Sequence, residues 1–254
     1  FNISKEGRDW KIDTAKKDVL EEKYSIEKIV YRPFDERYTL YSGKTKGFIA
    51  WPRANVMKEF LNNKNIGFCS KRQNIQSFSY VFLVDKITES CIFESSFAKT
   101  NIFPLYLYTE TTTQQSLLKE VVRTPNLNME IVNEIAKGLG LAFTPEKEDG
   151  NVCLANDKDV RSEFRTTFAP IDLLDYIYAV LHSPTYRETY KEFLKIDFPR
   201  VPYPKDSNIF WQLVQLGGEL RQIHLLESST VEKYITQYPE DGDNIVTKPT
   251  YKNG

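Results

Sequence analysis

Cationic and amide side chains interleaved with aromatic rings are the residues of this sequence best suited to hold another molecule. Tyr31, Arg32, Phe34, Arg37, Tyr38 and Tyr41 fall within eleven residues, and Lys44, Lys46, Trp51, Arg53, Lys71, Arg72 and Gln73 follow. An arginine fork matches the groove edge of guanine, a glutamine amide matches adenine, and lysine or arginine neutralises phosphate. That is the chemistry of nucleic-acid recognition. In "YRPFD" a structural role competes and is favoured. Arg32 and Asp35 would form a buried ion pair bracing a turn at Pro33, with Tyr31 and Phe34 in the core, because buried arginines are usually paired. The "GKTKG" and "SKRQN" segments read instead as exposed loop tips between strands, where contacts with a partner are mounted.

Reactive side chains are sparse. Cys69, Cys91 and Cys153 are an odd number, widely spaced, with no C-x-x-C pair, a pattern of inert thiols in a reducing compartment. His182 and His224 lie far from all three in sequence, so a structural zinc site is not expected. His182 reads as a helix-end cap or core residue and His224 as a core residue. Glu21 and Lys23 match the end of a nuclease carboxylate motif, but Asp18 is too near in sequence to be the separate metal-binding aspartate, and a solvated helix face is the better reading. There is no G-x-x-x-x-G-K-[ST] phosphate loop, no glycine-rich turn for a dinucleotide or S-adenosylmethionine, no Pro-Pro dipeptide of the amino-methyltransferase kind and no G-x-S-x-G elbow. The residues describe a binding module with no catalytic residues and no metal site of its own.

These side chains need a scaffold, and composition allows one. The chain has 254 residues, 34 Lys plus Arg against 35 Asp plus Glu, a net charge of −1 and 41% apolar residues. Those fractions suit a globular domain and exclude a disordered, collagenous or disulfide-scaffold chain. No run approaches the ~20 apolar residues that cross a bilayer. With overall charge near zero, any nucleic-acid contact must come from a local patch. No signal-peptide pattern is present, and with Phe1 at the front and Asn253-Gly254 at the end the chain reads as an excised piece of a longer one.

The expected fold is α+β: a β-rich subdomain over residues 1–120 and a mainly helical one over 121–254. A short helix is expected around Thr14–Glu22, then two extended segments joined at Pro33. Val56, Met57, Phe60 and Leu61 recur at helical spacing and predict a helix over Pro52–Asn63. "IGFCS", "SYVFLVDKI" and "CIFESS" predict strands, and "NIFPLYLY" an edge strand because of Pro104. The Thr- and Gln-rich stretch Thr109–Gln115 reads as a loop. Asn126 is the expected cap of a helix carrying Leu127, Ile131, Ile135 and Leu139, stopped by Gly138 or Gly140. A polar loop is expected over Thr144–Asp159. Two abutting helices then open at Pro170 and Pro184, "DFPRVPYPKD" is an extended linker, and a last helix runs from Ser207 to about Leu226.

Several segments, in this order, resemble the C-terminal specificity region of Type ISP restriction–modification enzymes: "YRPFDERYTLYS", "WPRANVM", "NIFPLYLY", "RTPNLNMEIV", "FAPIDLLDYIYAVLHSPTYRETYKEFLKIDFPRVPYP" and "LGGELRQIHLLES". The resemblance runs from about Tyr31 to Glu227, and its most specific block is Tyr176 to Pro202. Such enzymes join a nuclease, an ATP-driven translocase, an adenine-specific DNA methyltransferase and a target-recognition domain. The resemblance implies that this chain binds double-stranded DNA and positions the target base for the methyltransferase domain of the same parent. Arg32, Arg37, Lys44, Lys46, Arg53, Lys71, Arg72 and Gln73 are its candidate DNA contacts. S-adenosylmethionine, ATP and Mg are expected only in the parent's other domains, with no cofactor here, and the location would be cytoplasmic. The alternative is a structural coupler that packs on the methyltransferase domain without touching DNA. Two departures stand out. Trp51 occupies a position where an arginine is expected, and Ala169 replaces a Ser or Thr helix cap, at a cost of about 1 kcal/mol. The family pattern also continues beyond Gly254.

Overall fold

The computed structural model describes residues 5–73, 78, 80–93, 99–111, 120–146, 165–235 and 241–243. Helix α1 (Ile12–Leu20) precedes a hairpin of β1 (Ser25–Arg32) and β2 (Asp35–Tyr41), antiparallel from Ser25↔Tyr41 to Arg32↔Asp35. Pro33 and Phe34 make its turn, with Phe34 left-handed at φ 64°. Its ring is 56% exposed, not in the core as expected. The other edge of β1 pairs in parallel with β5 (Ile87–Thr88).

A second sheet has the order β4–β3–β6, all antiparallel, from β3 (Gly67–Ser70), β4 (Val81–Val84) and β6 (Asn101–Pro104). As Pro104 demands, β6 lies at the edge. Between the first two sheets in sequence is α2, Ala54–Met57. The helix expected over Pro52–Asn63 is therefore one turn long. After Met57 the backbone tightens into three-residue turns, the N–H groups of Glu59, Phe60 and Leu61 bonding Val56 O, Met57 O and Lys58 O. The Asn65 side chain holds the bend that follows. Its amide donates to Glu59 O at 3.0 Å and to Tyr106 O at 2.8 Å, while its oxygen accepts from the backbone of Ile66 and Tyr106. Cys91–Phe93 is likewise a bend rather than a strand, because the Cys91 amide donates to the Glu89 carboxylate at 2.6 Å. The rest of that predicted strand lies outside the described residues.

Strands β7 (Tyr106–Thr111) and β8 (Glu120–Pro125) form a third antiparallel pair. The expected loop at Thr109–Gln115 is therefore strand as far as Thr111, and its remainder is outside the described residues. The pairing crosses residue 120, and one large core cluster joins Leu83 and Leu105 to Ile135, Leu174 and Phe210. Helix α3 (Met129–Leu139) is capped by Asn128, whose side chain accepts from Glu130 N and Ile131 N, and ends at left-handed Gly140. Asn126 is not the cap. Its amide bonds Pro104 O and its N–H bonds Leu105 O, tying the helix entry to the edge strand. Most of the polar segment 144–159 lies outside the described residues. A short parallel pair, β9 (Ala142–Phe143) and β10 (Thr167–Phe168), leads into α4 (Pro170–His182). Ala169 offers no capping oxygen, but Asp172 reaches back to the Ala169 N–H at 2.8 Å, and Pro170 occupies the first turn.

Two short helices, α5 (Pro184–Thr189) and α6 (Phe193–Ile196), and the extended segment to Asp206 lead to α7 (Ser207–His224), capped by Asp206. A 3-10 turn follows at Ser229–Glu232. Helices α4 and α7 pack so closely that a Cβ on Gly217 would sit 1.9 Å from Asp175 O, so only glycine fits. One turn on, Arg221 Nε and Nη2 donate to the two Asp175 carboxylate oxygens at 2.7 and 3.1 Å, both residues buried.

Candidate nucleic-acid interface

The hairpin holds two candidate cations by their aromatic neighbour. Arg37 lies 3.8 Å and Arg32 4.1 Å from the Tyr31 ring centre. Their ion pairs differ from the Arg32–Asp35 pair expected. Alternation along β2 puts residues 35 and 37 on one face, so Arg37 takes Asp35 with an Nη2 contact of 2.8 Å. Arg32 instead donates to Tyr31 O at 2.6 Å and to Glu89 at 3.1 Å, which follows β5 alongside β1. Arg37 holds the Asp35 carboxyl below its usual range, and Asp35 in turn raises Arg37. Tyr31 is half-buried, not a core residue.

Asp18 organises the "GKTKG" turn. One of its oxygens accepts from Ser42 Oγ and Phe48 N, both at 2.7 Å, and a Cβ on Gly47 would stand 2.2 Å from that oxygen. Asp18 is buried and does not belong to a solvated helix face. Glu21, on the same helix end, pairs with exposed Lys44 at 2.9 Å, which lowers Glu21 and raises Lys44 from their ordinary pKa values. Lys46 is exposed, its left-handed backbone fixed by a bond from its N–H to Ala50 O.

The "SKRQN" segment divides. Lys71 is 1% exposed, with Nζ 4.5 Å from the Tyr80 ring centre. Its position at the end of β3 turns it inward, against the exposed loop tip that composition suggested. Arg72 points outward and bonds Asp197 at 3.1 Å, and Gln73 is exposed. The Asp197 carboxyl is held low first by the Phe198 N–H and then by Arg72.

Arg53 is exposed at the entry to α2 with φ 53°, and the carbonyl of the preceding Pro52 accepts from the buried Tyr41 hydroxyl at 2.9 Å. The fold gathers residues around it that the sequence pattern did not mark as contacts. Arg53, Trp51, Arg8 and Lys99 wall one cleft, and Trp51, Arg53 and Lys99 wall an adjoining one. The signal available in sequence was Trp51 beside Arg53. Nothing in sequence brought Lys99, 46 positions later, to the same wall. His182 and His224 are packing residues: His224 stacks on Phe82 at 5.4 Å, and His182 Nδ1 bonds Tyr178 O at 2.8 Å. Burial lowers both histidine pKa values, that of His182 to about 4. Among the described residues, no three His, Cys, Asp or Glu side chains converge as metal ligands, and no helix is long and apolar enough to cross a membrane.

Small sheets carrying cationic loops share one core with the helix pair α4 and α7. The model of the Type ISP C-terminal specificity domain matches residues 1–254, and the chain belongs to that family. No curated protein matches. Among solved structures it is similar to a chain of the cryo-EM DrdV–DNA complex, at 23% identity and TM-score 0.52, covering 79% of this chain and 16% of that one. A nuclease-deletion mutant of the Type ISP restriction–modification enzyme LlaGI, in complex with a DNA substrate mimic, matches at 22% identity and TM-score 0.45, covering 79% and 14%. The chain thus spans about one-sixth of the DrdV chain it matches.

Proposed function

We propose that this chain reads a double-stranded DNA target for a Type ISP parent that methylates adenine, and presents the target base to the methyltransferase domain of that parent. Membership of the specificity-domain family carries the reading. The solved DrdV structure that the chain resembles is a DNA complex. In this reading the β-rich part up to about residue 120 contacts DNA and the helical part braces it. S-adenosylmethionine, ATP and Mg belong to other domains of the parent, and the location is cytoplasmic.

The contact set takes its shape from the geometry. Arg53, Lys46 and Gln73 offer exposed polar heads, and Arg37, Lys44 and Arg72 sit in exposed ion pairs. Exposed pairs contribute little, since water screens them, so a phosphate can displace the carboxylate. Arg32, half-buried against Glu89, fits a role in holding the hairpin. Lys71 fits a structural role, its ammonium covered by protein.

The test is duplex binding measured against salt. Each neutralised phosphate adds about 0.9 to the steepness of log affinity against log salt. Lys46→Glu and Arg72→Glu together should flatten that slope by nearly twice as much. An unchanged slope removes those two residues, and no sequence-dependent duplex binding by the chain removes the reading. A second reading, coupling to the methyltransferase domain without DNA contact, is favoured by exposed Ile209 and Leu216 on α7. It predicts that Leu216→Glu weakens association with that domain while Lys46→Glu changes nothing.

A further inference from the structure

Trp51 is 53% exposed, yet it does not stand alone on the surface. It forms the shared wall of two clefts, of about 620 and about 910 Å³, together with Pro52, Arg53, Val56 and Lys99. The wall is built firmly. Pro52 is buried and its carbonyl is held by Tyr41, and the Arg53 carbonyl accepts from Val56 N and Met57 N at 2.9 and 3.0 Å. Asp9, whose carboxyl is held low first by Arg8 and to a smaller extent by the Trp51 side chain, lines the larger cleft beside the indole. Arg53 and Lys99 line both clefts with it. Lys99 donates to Cys91 Sγ at 2.9 Å, and the Arg53 charge acts on it across the cleft. Glu89 is the carboxylate of the smaller cleft, and it is already occupied by Arg32 and the Cys91 N–H.

An exposed indole with two cations lining the same clefts, each large enough for one nucleotide, has a definite chemical complement. We propose that this cleft receives a single unstacked nucleotide of the bound DNA, its base against the Trp51 ring and its phosphate between Arg53 and Lys99. The inference rests on the DNA-reading function and adds a site that a fully paired duplex leaves unfilled. Every base has a π face, so an indole platform accepts any of them, and the selectivity it gives is for an unstacked over a stacked base. Unstacking costs least where the base is already unpaired. In this proposal Trp51 supplies a stacking surface rather than a phosphate contact.

The test uses the 254-residue chain and two duplexes of one sequence, one fully paired and one carrying a single extrahelical adenosine. The bulged duplex should bind on the order of tenfold tighter and quench tryptophan fluorescence, the size expected of one base–aromatic stack. Trp51→Ala should abolish the preference while leaving affinity for the paired duplex within about twofold, and Trp51→Phe, which keeps a ring, should retain most of it. Arg53→Asn, which tolerates the left-handed backbone, combined with Lys99→Met should weaken the bulged duplex more than the paired one. Melting temperatures of each variant separate these effects from unfolding. Equal binding of the two duplexes by the unaltered chain, or an undiminished preference in Trp51→Ala, overturns the inference while leaving DNA reading intact. Failure to bind either duplex overturns both.

Discussion

The ion pair between α4 and α7 and those on the front hairpin and loops use the same groups to opposite ends. Asp175 and Arg221 are buried and doubly hydrogen-bonded. Burial works against the Arg221 charge, but the bonds and charge of Asp175, with the charges of Glu227 and Asp172, together outweigh it and raise its pKa. Asp35–Arg37, Glu21–Lys44 and Asp197–Arg72 lie in water, within reach of a competing anion. A charge sealed in the protein fixes helix packing and is unavailable to DNA. A charge held by an exposed carboxylate keeps its place and can still change partner. Where a cation is mounted therefore says more about its role than its residue type does.

The comparison can be broken hardest at Asp175. Asp175→Asn leaves a buried guanidinium uncompensated and should cost about 3–5 kcal/mol, read by denaturant unfolding. Replacing both partners by apolar residues of similar volume should recover most of that loss. Gly217→Ala, forcing a methyl group against the Asp175 carbonyl, should cost about 1–3 kcal/mol or more through overpacking. If it melts like the parent chain, the close helix contact is not a constraint.

His182 gives a pH test in the same helix pair. Its pKa falls from 6.5 to about 4 on folding because burial disfavours the charged ring, with Arg187 and His224 adding to the effect. Between those values the unfolded chain binds more protons than the folded one, so stability should fall as pH drops from about 6.5 towards 4. A His182→Gln variant should lose part of that slope. The smallest stability effect belongs to the front. Asp35→Asn should leave the melting temperature essentially unchanged and yet tighten duplex binding, because it frees Arg37 from its exposed competitor. A clear loss of stability there would erase the distinction between the two kinds of pair.

Much of the scaffold was legible in local sequence. Pro33 located the hairpin turn, Pro104 the edge strand, and Pro170, Pro184 and Ser207 the helix starts, because proline geometry and capping act over a few residues. The truncation of the expected helix at Met57 was not legible, since the three-residue turns over Val56–Leu61 share the apolar spacing of a helix. Lys71 looked like a loop cation because its burial is set by strand register and by Tyr80. Partner choice was equally hidden. Arg32 is opposite Asp35 in the hairpin register yet bonds Glu89, 57 positions away. On α7, Phe210 and Val214 lie on the buried side, and Arg221 on the same side found its carboxylate only through packing with α4. For the candidate site, residue types near Arg53 were visible, but the meeting of Trp51 with Lys99 is tertiary.

The Asp18 carboxylate binds a helix that comes before the hairpin to a lysine-bearing turn that comes after it. That turn is therefore not a cassette that could be transplanted between relatives on its own. A graft of residues 42–48 into another scaffold would arrive without the anchor that shapes it, and its lysines would wander. Under the proposed DNA-reading role, altering the contacts of this turn means moving the opening helix and the turn as one unit.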